Sequence, residues 1–76
     1  MNDSTFKAKL FHAAIMAEIA NRPDYWRGYS RGFRRAYHGG AFGLEGEHDL
    51  WLALADRDDE QSAERGLGYL HGLEAD

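Results

Sequence analysis

The chain has 76 residues, no cysteine and a formal net charge of −4. That length holds one small domain and leaves no disulfide or thiolate metal centre to brace it. No run approaches the roughly 18 apolar residues that a membrane span needs.

The helices are expected in chain order as follows. There is no valine, and Thr5, Ile15 and Ile19 are the only β-branched residues, while Ala, Leu, Glu and Arg abound. The expectation is an all-α fold: one domain over residues 1–76, a compact bundle of three to four short helices. Met1-Asn2-Asp3-Ser4 has no basic stretch before an apolar core, so no secretion signal is expected and a cytoplasmic location is. Helix one is predicted over residues 5–20, capped by Asp3 or Ser4 and ended by Asn21 and Pro23. Phe6, Leu10, Ala13 and Ala17 fall on one side of it and Phe11, Ile15 and Ile19 on another. A helix apolar nearly all round buries more than one face. It is expected either at the centre of the core or with one face turned to a partner or a second copy.

Helix two is predicted over residues 23–38, with Pro23 at the first helical position, Asp24 at the positive end of the helix dipole and Gly39-Gly40 as the stop. Tyr25, Trp26, Tyr29, Gly32, Phe33, Ala36 and Tyr37 share one broad face, opposite Arg27, Arg31, Arg34, Arg35 and His38. Residues 39–43 read as a glycine-rich connection. Helix three is predicted over 44–56, with Leu44, Trp51, Leu52, Leu54 and Ala55 inward and Glu45, Asp49 and Asp56 outward. After a break near Arg57 and Asp58, helix four is predicted over 59–73, although the two could be continuous. Its expected apolar stripe is Ala63, Leu67, Leu70 and Leu73, with Glu60 and Glu64 in water and Asp58/Gln61 as a capping box.

Charge is divided between the halves. Residues 1–40 carry seven Lys or Arg against three Asp or Glu; residues 41–76 carry two against ten. Either the two signs form separate recognition surfaces, or the halves fold together and neutralise each other.

Gly28-Tyr29-Ser30-Arg31-Gly32 is echoed by Gly68-Tyr69-Leu70-His71-Gly72, both G-Y-x-x-G within predicted helices. Interior glycines cost helix stability. Two of them four residues apart make a smooth patch for close helix approach, so helices two and four are expected to meet there. The segments Arg27–Phe33 and Gly66–Gly72 resemble the paired aromatic-glycine motifs of the ribosome modulation factor, or Rmf/CrpP-like, group. That resemblance implies a small helical protein that binds ribosomal RNA. The chain shares the group's basic character in helix two. In kind rather than motif, a small, acidic, cysteine-free domain is similar to the anti-CRISPR proteins of phages. Several of those bind surfaces where a CRISPR effector complex holds nucleic acid.

Catalytic patterns are missing. Ser4, Thr5, Ser30 and Ser62 stand outside any nucleophile elbow, no P-loop occurs, and His38-Gly39-Gly40 is only faintly like an oxyanion loop. Glu45 and His48 have di-iron spacing, but without the second pair. His12, His48 and His71 read as lone histidines at the core edge. The expectation is a non-enzymatic protein without cofactor or metal, a monomer or weak dimer. Its first expected binding surface is acidic: Asp56, Asp58, Asp59, Glu60 and Glu64, with Glu45, Glu47 and Asp49 nearby. The partner would be a basic, nucleic-acid-binding subunit of a CRISPR effector complex, in a host bacterial cell. The alternative is an RNA- or ribosome-binding modulator acting through Arg27, Arg31, Arg34, Arg35 and His38, with the aromatic residues turned away from that face.

Overall fold

Two of the helices begin where a side chain satisfies a free backbone N–H donor. Asn2 accepts from Thr5 N at 2.8 Å and opens α1, Asp3–Ile19. Asp59 accepts from Ser62 N at 3.0 Å and opens α4, Glu60–Glu74. Both caps lie one residue away from the residues that sequence reasoning favoured, because the acceptor must sit outside the helix with extended backbone. Pro23 starts α2, Pro23–His38, and Gly39 ends it with φ at 81°. A 3-10 turn, Gly39–Ala41, leads through a loop to the short α3, Glu47–Leu54. The computed structural model describes residues 2–75. Among them no residue lies in a strand, so the fold is all-α.

The helices alternate in direction. α1 packs on α2, α3 packs on α4, and the most extensive contact joins α2 to α4. Those two run parallel, and their glycines mesh. A Cβ added at Gly28 would lie 1.9 Å from the Arg65 carbonyl oxygen, and one at Gly32 would lie 2.0 Å from that of Tyr69. Reciprocally, Gly68 would meet the Tyr25 oxygen at 1.9 Å and Gly72 the Tyr29 oxygen at 2.2 Å. Every pairing recurs when about forty residues are added, as in a pseudo-dyad between two helical hairpins; the residue numbers 28, 32, 25 and 29 become 68, 72, 65 and 69. The repeated motif therefore folds against its own copy. The missing side chains put the Cα hydrogens against facing carbonyls, a geometry recurrent at close helix interfaces.

The interior is thin. The molecule measures 37 × 31 × 17 Å, so its smallest dimension is under two helix diameters. Phe6, Ala13, Phe33 and Tyr69 are its buried apolar side chains. Phe6 stacks on Tyr37 with centroids 4.0 Å apart and meets Phe33 at 5.3 Å, tying α1 to α2. Trp51 stacks on Tyr69 at 5.5 Å, tying α3 to α4.

Several expectations need correction. α1 is not central: it buries Phe6 and Ala13 and leaves Phe11 and Ile19 about 70% exposed. α3 is shorter than the predicted 44–56, and Leu44, expected inside, is 81% exposed. The glycines at 43 and 46 take positive φ and hold the preceding loop out of helix. α4 buries Gly66, Gly68, Tyr69 and Gly72 instead of a leucine stripe, because the glycine face lets α2 approach too closely for leucines to lie between. Leu67 and Leu70 are left at the margin. Ala36 is exposed, outside the core face assigned to it.

Candidate interaction surfaces

Folding brings the two charged halves together at three places. Arg22 donates from Nη2 to Glu64 Oε2 at 2.8 Å, and Arg65 Nε donates to Asp24 at 2.8 Å. Arg31 Nε donates to Glu47 at 2.6 Å, and Arg31 also lies over the Phe42 ring. Asp24 and Glu64 are counterparts in the repeat, so each half of the seam has its acidic residue held by an arginine. Glu47 accepts a further bond from Leu44 N at 2.8 Å and fills the space beside Gly43. That backbone bond, then Arg31, holds its carboxyl below its ordinary pKa. Glu47, Glu64 and Arg31 thus serve the fold, and the expectation that Glu64 simply faces water is overturned.

Histidines bond the tyrosines of the seam, His71 from α4 to α2 and His48 from α3 to α4. The Tyr25 hydroxyl and His71 Nδ1 share a hydrogen bond of 2.6 Å, and the Tyr69 hydroxyl and His48 Nδ1 share one of 2.7 Å. Burial pushes the pKa of both tyrosines up, which keeps their hydroxyls protonated. His12 meets the edge of Trp26, and His38 stacks on Phe42. Among the described residues no three His, Asp or Glu side chains are grouped as a metal site would require.

Of the acidic residues expected at the binding surface, Glu45, Asp49, Asp56, Asp58, Asp59 and Glu60 remain outside, all exposed. Asp49 lies on the outer side of α3, Glu45 in the loop before it, and Asp56, Asp58 and Asp59 in the turn that leads to Glu60 at the start of α4. Asp59 is also the α4 cap and meets Arg57 at 3.5 Å. The Ser62 hydrogen bonds hold the Asp59 carboxyl below its ordinary range. Two large apolar side chains stand among these carboxylates, Leu44 at 81% and Leu50 at 70% exposure. Sequence reasoning missed both leucines as surface residues. Leu50 was legible, since it follows Asp49 on the outer arc; Leu44 was not, because the loop bend at Gly46 removes it from the helix.

The basic residues do not form one face. Arg27, Arg31 and Arg34 line an open groove between α1 and α2, together with Trp26 and Ser30. Trp26 in that groove corrects the expectation that the aromatic residues point away from the arginines. At about 100° per residue Trp26 stands one turn from Ser30 and about 80° from Arg34, at the border of the two faces. Arg35 turns the other way, toward a groove shared with Glu45, His48 and Asp49. His38 is exposed beside the 3-10 turn.

No family model, curated protein or solved structure matches this chain. Among the described residues no helix is long and apolar enough to cross a membrane.

Proposed function

We propose that this chain is a small non-enzymatic inhibitor of the anti-CRISPR kind, which binds a basic, nucleic-acid-holding protein surface through the outer side of α3. The supporting observation is that Leu44 and Leu50 are exposed among Glu45, Asp49 and Asp56. A face that only solvates a small domain gains nothing from two exposed leucines. Apolar anchors ringed by charge are what a protein partner uses: the leucines supply buried area, and the carboxylates steer encounter with a basic surface. Asp58, Asp59 and Glu60 extend the same field, while Glu47 and Glu64 act only by holding the scaffold. The site of action would be the cytoplasm of a host bacterium.

The test is phage survival in cells with active CRISPR immunity, paired with binding to the purified effector complex. The combined change of Asp49, Asp56 and Asp58 to lysine should abolish both, and Leu50→Ser should weaken binding about tenfold. Full inhibition by the lysine variant would reject the acidic surface.

Trp26 beside Arg27 and Arg34 favours a second reading, an RNA-binding modulator, because a half-exposed ring can stack on an unpaired base while arginines meet phosphates. Single-stranded RNA binding that falls steeply with salt, and disappears in Arg27→Glu with Arg34→Glu, would support it. No association at low salt would dispose of it.

A further inference from the structure

The outer stripe of α1 has no role in the fold or in either proposed surface. At about 100° per residue, Ala8, Phe11, Ile15 and Ile19 lie within one narrow arc, roughly opposite the buried Phe6 and Ala13. Phe11 is 69% exposed, Ile15 40% and Ile19 70%. A β-branched and aromatic row this open on a helix of 17 residues is a surface waiting for a mate.

The flanking charges identify the mate. Lys7 and Glu18 border the stripe along the same edge, one in the first half of the helix and one in the last. A two-fold axis across the helix turns each edge onto itself and reverses its direction. In that arrangement Phe11 sets against Ile15 of the second copy when the paired numbers sum to about 26, and Lys7 meets Glu18 when they sum to about 25. The Lys7–Glu18 pairing sets this register, and it still places Phe11 against Ile15 of the second copy. In it the aliphatic stem of Lys7 covers Ile19 of the other copy while its ammonium reaches Glu18. A parallel pair would instead bring this edge against the one bearing Thr5 and His12, with no charge to match. The existing Lys7–Asp3 pair, at 3.1 Å and with both side chains well exposed, is weak competition.

We infer that α1 is a self-association face, on which a second copy of this chain docks antiparallel through Phe11, Ile15 and Ile19, with Lys7 and Glu18 exchanged between copies. The helix is about 25 Å long, so the paired faces bury less than the roughly 1,200 Å² of strong complexes. The dimer is accordingly a weak one, formed in the micromolar range or above.

Sedimentation equilibrium over increasing concentration tests this on the intact chain. The mass should rise from monomer to dimer and no further, and Ile15→Glu should hold it at monomer throughout. Lys7→Glu should weaken association about tenfold, and Lys7→Glu combined with Glu18→Lys should restore it. These surface swaps leave the core untouched, so loss of folding cannot imitate the result. Because the chain has no cysteine, Lys7→Cys mixed with Glu18→Cys should oxidise to the mixed dimer in preference to either self-linked one. A monomer at every concentration, an Ile15→Glu variant that still dimerises, or a double swap that fails to restore association would each overturn the inference.

Discussion

The α2–α4 seam and the flanking helices α1 and α3 use opposite materials. The seam brings backbone against backbone through glycines and seals itself with Phe33, Tyr69 and the Tyr25–His71 hydrogen bond. The flanks each anchor one side on the seam and expose large apolar residues on the other: Phe11, Ile15 and Ile19 on α1, Leu50 on α3. Close packing is thus concentrated where side chains are smallest, and large apolar side chains are left exposed on the flanks. A slab only 17 Å thick allows little else, since a helix flanking one layer has nothing to cover its far side.

Four perturbations test that contrast. The largest effect is expected from Gly68→Ala or Gly28→Ala, where the new methyl meets a carbonyl oxygen. Either should cost about 3 kcal/mol or more, a large part of what a domain of this size possesses. Thermal melts would read it, and a loss below about 1 kcal/mol would break the seam's primacy. Next, Tyr69→Phe removes the hydroxyl shared with His48 and should cost about 1 kcal/mol by urea titration.

Acid should act more gently. The Glu47 and Asp59 carboxyls have lowered folded-state pKa values. Their contribution is fully present above the ordinary carboxylate range and disappears as the pH falls through the lowered values. Unfolding midpoints should decline across that acid window, and Glu47→Gln should flatten the decline. Finally, Ile19→Ser and Leu50→Ser should change stability by no more than about 0.5 kcal/mol. A larger loss from either would mean that the flanks carry the fold as well.

Much of the backbone was legible from the residues. Pro23 and Gly39 bounded α2 as expected, because ring closure and positive φ constrain the chain wherever it goes. The echo between Gly28–Gly32 and Gly68–Gly72 anticipated the helix crossing, since few other reasons place glycines four apart inside helices. Burial was less legible. Helical spacing separates the faces of α1 but not which of two apolar sides is covered; that depends on how few layers the chain can build. Leu67 and Leu70 were misread for the same reason, as the closeness of the glycine contact pushes leucines outward. Long-range ion pairs such as Arg22–Glu64 were invisible individually, although the opposed charge of the two halves hinted at them.

Native-state hydrogen exchange resolved by residue tests the division most directly, because it reads local stability along every helix. The slowest amides are expected in α2 and α4 around the glycine crossing, with α1 and α3 exchanging through cheaper local openings. Equal protection in all four helices, or greater protection in α1 than in α2, would contradict it.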